Sequence, residues 1–469
     1  MKEKINALLS PKSNSNEKLN MNGFDKTTES EKNPKNSRTL IIIFVSLLID
    51  LLAFTMILPL LPSLMEHYRK YDDDNGLYPW LLSKLEYFRN LVGAPERFNS
   101  VLFGGLLGSL FSFLQFVASP LVGGLSDAYG RRPVLILCLV GIALSYVLWA
   151  VSHSFAVFVL ARVVGGISKG NVSLSMAIIT DVSTTATRGF GMALVGIAFS
   201  IGFIVGPVIG AMFARWAQTQ AGHADWFTVP AVFALSLATL DIIFVVFSFK
   251  ETLPPNKRSS ITQSLSQASA YVSIPALFSF KAVSGLSRND SEELTMLGLV
   301  YFVYLFLYSG LEFTLTFLTH LSFGFTSMQQ GYMFFCIGLV MAVLQGAWVR
   351  RIPPQSTKKM AAHGLLLIVP SFLCVGLASS PLLLYIGLFL FAVSTAIVVP
   401  CMTTMASQFG TVAQKGTVMG IFRSLGALAR ALGPVFASIC YWSLGSTLTY
   451  CLGGVALMWP WYRLYCSRR

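Results

Sequence analysis

Charge is what this sequence has least of. Only 12% of its 469 residues are Asp, Glu, Lys or Arg, against 54% hydrophobic residues and a mean hydropathy of +0.65. Soluble domains carry roughly 25% charged residues, so a chain of this size cannot coat a water-facing surface, which excludes an ordinary soluble enzyme and a disordered protein. Cysteine is scarce and scattered. None of Cys138, Cys336, Cys374, Cys401, Cys440, Cys451 and Cys466 forms a C-x-x-C pair, and their apolar settings predict small buried thiols, with no disulfide framework and no metal site. No G-x-x-x-x-G-K-[ST] loop is present, so ATP is not expected to drive the protein. No nucleophile–base pair stands out, and neither an enzyme nor a cofactor is expected. A cleavable signal peptide is not expected either: the first apolar run, Leu40 to Leu61, is too long and lacks a small-residue cleavage site.

What the chain has is long apolar runs. A bilayer-spanning helix needs ~20 mostly apolar residues, and about twelve windows qualify by that length: 39–62, 100–120, 133–151, 155–179, 190–213, 226–249, 296–319, 328–349, 361–378, 382–405, 416–440 and 446–466. The formal charge is +13, and its location reads as topology rather than a nucleic-acid footprint. Basic residues gather in the tail, in the connections holding Arg131–Arg132, Arg188, Lys250–Arg288, Arg350–Lys359 and Lys415, and at the C-terminus. The opposite side has only Arg69, Lys70, Lys84, Arg89, Arg97 and Arg215. The positive-inside rule then places both termini in the cytoplasm, though it names no organelle: the plasma membrane and an endomembrane such as the nuclear envelope fit equally.

Residues 1–37, rich in Lys, Asn and Ser, are expected to be a disordered cytoplasmic tail. Residues 38–249 form a first six-helix half, with 63–99 as an outer loop holding an amphipathic helix near 79–91. Residues 250–295 form a cytoplasmic linker and 296–469 a second half. A repeat supports this division. Arg188-Gly189-x-x-Met192 precedes Gly206-Pro207, and Lys415-Gly416-x-x-Met419 precedes Gly433-Pro434 at a constant offset of 227 residues, which puts the fifth and eleventh helices in register.

Few ionisable residues lie inside the windows: Asp50, Arg162, Lys169, Asp241, Glu312, Arg423 and Arg430. Charge facing lipid is costly, so these residues should face a polar cavity or one another. Arg162 and Lys169 are seven apart, as are Arg423 and Arg430; on a straight helix each pair shares a face. Tyr304, Tyr308 and Glu312 form a stripe spaced by four. A carboxyl in low dielectric can exchange a proton near neutral pH, which makes Asp50 and Glu312 the leading proton carriers and leaves Asp241 as a structural partner. A net-positive, aromatic-lined cavity formed by Lys169, Arg162, Tyr304, Tyr308, Glu312, Arg423 and Arg430 favours an anionic organic substrate.

Three motifs carry a resemblance. Gly123-Gly-Leu-Ser-Asp127-Ala-Tyr-Gly-Arg131-Arg132-Pro133 matches the signature loop of the major facilitator superfamily. Arg162-Val-Val-Gly165-Gly166-Ile-Ser-Lys169-Gly170 resembles its basic fourth-helix motif. The helix containing Gly202, Gly206, Pro207 and Gly210 resembles the motif of its antiporter branch. Longer runs, among them Asp50–Thr55, Gly165–Ser175, Tyr308–Glu312 and Lys415–Arg430, are similar to the tetracycline transporter-like branch found in animals.

The resemblance implies an all-α integral membrane protein of the major facilitator fold, with 12 transmembrane helices in two pseudo-symmetric six-helix bundles. It implies a cytoplasmic gate in which Asp127, Arg131 and Arg132 meet Asp181, although Ala128 stands where a basic residue is usual. It also implies a monomeric, lipid-embedded transporter of organic anions or amphipathic drug-like solutes, exchanging them for protons by alternating access. A facilitative uniporter and a non-transporting receptor or scaffold are the alternatives.

Overall fold

The computed structural model describes residues 34–92, 98–183, 188–219, 226–258, 260–261, 273–280, 283, 286–409 and 415–467. The tail up to residue 33 and the Ser-rich stretch 262–272 lie outside them. Every regular element among the described residues is helical. The first half contains α1 (Pro34–Thr55), α2 (Leu61–Tyr71), α3 (Leu77–Val92), α4 (Asn99–Tyr129), α5 (Arg131–Ala150), α6 (Phe155–Ser168), α7 (Asn171–Val182), α8 (Arg188–Thr219) and α9 (Thr228–Ser248). The short linker helix α10 (Ile274–Ser279) follows. The second half contains α11 (Arg288–Phe323), α12 (Ser327–Ala347), α13 (Thr357–Gly376), α14 (Pro381–Ala406), α15 (Lys415–Ala456) and α16 (Met458–Tyr465).

Eleven helical stretches are long and apolar enough to cross a membrane. The last, Val418–Tyr465, has 48 residues, more than twice the ~20 that one crossing needs. Gly445 interrupts it at φ 81°, a conformation open to glycine at little cost, so the stretch folds into two crossings and the bundle has twelve. The surface agrees with this reading: Leu137, Leu382 and Phe247 are 65%, 73% and 84% exposed. Exposing such side chains to water would forfeit roughly 1.5–3 kcal/mol each; against lipid the cost vanishes. The helix starts are written locally. Ser287 accepts the Asp290 amide at the start of α11, and Thr326 and Gln329 form a reciprocal capping box at the start of α12.

Two expected single helices are broken. The 39–62 window ends its regular helix at Thr55, turns through Leu58–Leu60 around Pro59, and resumes as α2; proline supplies no amide and clashes with the preceding turn. The 155–179 window breaks at Lys169–Gly170, where Gly170 presses on Val122 of α4 with no space for a side chain. The cysteines also differ from expectation. Cys138 and Cys401 are buried, but Cys336 and Cys466 are exposed at the helix surface, where an apolar thiol is tolerated by lipid.

The halves meet along two antiparallel seams. In the first, α4 packs on α15: Trp442 Nε1 donates to Asn99 Oδ1 at 3.0 Å, the Val435 amide donates to Ser109 Oγ at 2.8 Å, and Gly105 abuts Ser438 and the Pro434 carbonyl. In the second, Gly331 of α12 abuts Pro207 and Ala211 of α8, and Gly338 abuts Ile204. All these contacts lie toward the Trp442 end. At the opposite end of the same four helices, Gly123, Gly420, Gly196 and Gly346 face open space. The bundle is therefore shut at the Trp442 end and parted at the Arg131 end.

Candidate functional site

The break in the fourth crossing creates the first part of the site. Lys169 caps the C-terminus of α6, where exposed carbonyls favour a cation. Its Nζ donates to both carboxylate oxygens of Asp50, at 2.7 and 2.8 Å, and lies 4.7 Å from the Phe54 ring centroid. Asn171, the first residue after the break, donates Nδ2 to Asp50 Oδ2 at 2.8 Å. Lys169 is 3% exposed and Asp50 also 3%. With three donors on its oxygens, the carboxylate is well enough satisfied to justify a buried ion pair.

Lys169 and Arg162 flank the same stacked pair of rings, Phe54 and Phe111 (centroids 5.2 Å apart), but they have different partners. Arg162 is caged by Phe111, Trp149 and Phe158, with guanidinium-to-centroid distances of 5.8, 5.9 and 5.5 Å. Its Nε has no hydrogen-bond partner, and cation–π contacts stand in for a carboxylate.

The second half supplies the stripe expected from its spacing. Tyr308 Oη donates to Glu312 Oε1 at 2.8 Å, the Tyr304 and Tyr308 rings stack at 5.6 Å, and Tyr308 stacks on Phe391 at 5.1 Å. Tyr301, which sequence reasoning left out of the site, lies within electrostatic reach of both Arg423 and Arg430 and stacks on Phe422. Arg430, Pro434 and Ser438 are spaced by four and share a face of α15. Pro434 and Ser438 touch α4, so Arg430 lies one turn closer to the parted end. It is exposed, near Glu312, and makes no hydrogen bond or ion pair among the described residues.

Gly202, Gly206 and Gly210 form a smooth stripe on α8 against Leu51, Thr55 and Met56 of the first crossing. Thr55 Oγ1 donates to the Gly202 carbonyl at 2.7 Å. The glycines thus seat α8 on the break in the first crossing, and Pro207 faces Gly331 of the other half.

At the parted end, Arg131 pairs with Asp127 at 2.5 Å and Asp181 at 2.8 Å and donates to Ser126 Oγ at 2.6 Å. Arg132 does not join these aspartates: its Nη2 donates to the Val246 carbonyl at 2.7 Å, at the end of α9. The residue that sequence reasoning missed is Glu251. It accepts the amides of Arg131 (2.9 Å), Arg132 (3.1 Å), Thr252 (3.0 Å) and Leu253 (2.9 Å). Partial burial works against its charge, but the amides of Leu253, Arg131, Arg132 and Thr252 outweigh that and hold its carboxyl below the usual range. The available signal was a lone acid just past the sixth window, which nothing local ties to the start of α5.

The family model for the Major Facilitator Superfamily matches residues 43–434. The chain belongs to the major facilitator superfamily. Among superfamily members, it is 46% identical over 438 residues to major facilitator superfamily domain-containing protein 10 of Homo sapiens, covering 92% of this chain and 93% of the relative. It is 25% identical to the class B tetracycline resistance protein of Escherichia coli, over 87% and 89% of the two chains. The crystal structure of the human organic anion transporter MFSD10 (TETRAN) aligns with a TM-score of 0.76 at 46% identity, over 92% of this chain and 99% of that one. A bacterial homologue of the human lysosomal transporter Spinster shares the fold, with a TM-score of 0.66 at 13% identity over 93% and 97% of the chains. The protein is thus a multi-pass membrane transporter of this superfamily and not an enzyme.

Proposed function

We propose that this protein exchanges organic anions for protons by alternating access, as a monomer with both termini in the cytoplasm. The observation that carries the reading is Arg430, an exposed cation that makes no hydrogen bond or ion pair among the described residues, set within the bundle between the shut and parted ends. A charged group so placed costs free energy unless a ligand or water meets it, and an anion is the complementary ligand. Tyr301, within electrostatic reach of Arg430, supplies an aromatic group suited to an apolar body, whereas Tyr304 is fully buried behind it. The 46% identical human relative described as an organic anion transporter supports the same substrate class.

On this reading the parted Arg131 end faces the cytoplasm, because the basic connections lie on that side. The Arg131–Asp127–Asp181 group and Glu251 form the part of the first half that meets the second when the bundle rocks, and Asp50 and Glu312 carry the coupling chemistry. Purified protein in liposomes should move naphthalene-2-sulfonate, an aromatic anion that stays ionised, at a rate set by the transmembrane pH difference. Glu312→Gln and Asp50→Asn should weaken that dependence. Flux indifferent to pH in the wild type would leave facilitated uniport in its place.

A further inference from the structure

The sixth crossing buries an acid that the exchange chemistry has not used. Asp241 of α9 is 0% exposed. Ser46 Oγ donates to its Oδ2 at 3.1 Å, and its Oδ1 has no partner. Ser46 and Asp50 are one turn apart on α1, so the two carboxyls face the same seam. Asp241 is within electrostatic reach of Asp50 and of Lys169.

Among the described residues, the other groups packed around it offer no second cation. Helix α5 starts with Arg131 and Arg132, which are engaged by Asp181, Asp127 and the Val246 carbonyl at its far end; beyond them its titratable groups are Cys138 and Tyr146, and α8 has no ionisable residue between Gly189 and Ala214. Arg162 is occupied elsewhere, with Tyr146 and Tyr68 as its electrostatic partners. The site therefore holds two carboxyls and one ammonium in a buried seam. Asp50 takes the whole of the ammonium and an amide besides; Asp241 receives one hydroxyl and leaves an oxygen empty. Two charges of one sign cannot both persist against a single counter-ion in such a medium.

We infer that Asp241 is the resident proton site of the first half: with Asp50 and Lys169 it forms a buried cluster carrying one proton, held on Asp241 while Lys169 is paired to Asp50. Loss of that proton leaves the seam with an unbalanced negative charge, so it goes with a conformation in which water reaches the α1–α9 seam. This ties proton occupancy to the position of the helices, as proton-coupled exchange requires; the inference rests on the function proposed above and adds the group that holds the proton.

The test uses the full-length protein in liposomes, with radiolabelled naphthalene-2-sulfonate, which cannot carry the proton itself. Asp241→Asn should abolish flux driven by a pH gradient while preserving exchange of labelled for unlabelled sulfonate. In infrared difference spectra of wild type against Asp241→Asn, both in the Glu312→Gln background, a carbonyl band of a buried protonated carboxyl should be present only with Asp241 in place. Ser46→Ala, which removes the one hydrogen-bond donor to Asp241 among the described residues and keeps the acid, should move the midpoint of the flux–pH profile without changing its maximum; it serves if Asp241→Asn fails to fold. Wild-type flux that ignores pH would remove the proposed function. A pH-driven wild type with an equally pH-driven Asp241→Asn, or an infrared band unchanged by Asp241→Asn in the Glu312→Gln background, would overturn the inference alone.

Discussion

The Val435 amide of the second half donates to Ser109 Oγ of the first at 2.8 Å, one turn from where Gly105 rests against Ser438 and the Pro434 carbonyl. This seam closes only because residue 105 has no side chain. Gly105→Val should hold the halves apart at the Trp442 end and cut transport at least ~10-fold, since closely packed interfaces do not absorb added volume. Single-cysteine labelling along α4 should report greater accessibility near Asn99. Normal turnover in Gly105→Val would show that the seam opens by another route.

Arg430 should act on the ligand and not on the fold. A hydrogen bond to a charged group is worth ~1.5–3 kcal/mol, so Arg430→Ala should raise the KM for an organic anion by about 10-fold or more. Because the side chain is exposed and makes no hydrogen bond or ion pair among the described residues, the melting temperature in detergent should stay within error. A large loss of thermal stability would instead place Arg430 in a structural ion pair.

The Asp50–Lys169 pair should behave in the opposite way. Removing one partner of a buried pair costs ~3–5 kcal/mol because it strands the other charge. Asp50→Asn and Lys169→Met should each lower thermal stability sharply. The double variant should recover much of that stability while remaining inactive in liposome flux. Additive losses in the double variant would contradict a direct interaction.

Glycine positions on one helix should separate packing from bystanders. At Gly206 a β-carbon would overlap Thr55, whereas at Gly196 it would meet nothing. Gly206→Ala should destabilise by ~1–3 kcal/mol through overpacking, and Gly196→Ala should be neutral or slightly stabilising. Thermal melts of the two purified variants read the difference.

Glu251 gives a pH dependence with a definite sign. Its carboxyl is held below the usual range by four amides, despite the burial that works against its charge. Its contribution to stability is therefore present above the unfolded value of ~4.3 and is lost as pH falls through the lower folded value. Glu251→Ala should melt earlier than wild type at pH 7, and the two curves should converge in acid. A gap that stays constant across the titration would assign the loss to packing.

Much of the architecture is legible in the residues themselves. The apolar windows, the Gly-Pro repeat and the Tyr308–Glu312 spacing are local patterns whose period survives in any environment, and the structure presents each where its spacing puts it. Illegible were the features set by contact between distant segments. The break at Lys169–Gly170 depends on the approach of Val122. The cage around Arg162 draws on three helices, and Glu251 finds its amides across a separation that no periodicity encodes. Arg132 illustrates the same limit: its neighbour in sequence joins the aspartates, but its own side chain turns to the end of α9.

The seam that shuts the Trp442 end is made of an indole, a carboxamide, a hydroxyl, backbone amides and bare glycines. None of these groups bears a net charge, so neither membrane voltage nor ionic strength has a handle on that closure. Voltage or salt sensitivity in the working cycle then enters through the charges within the bundle, Arg430 among them, through the transported anion or through the Arg131 end, and a recording that varies voltage at fixed substrate reports on those.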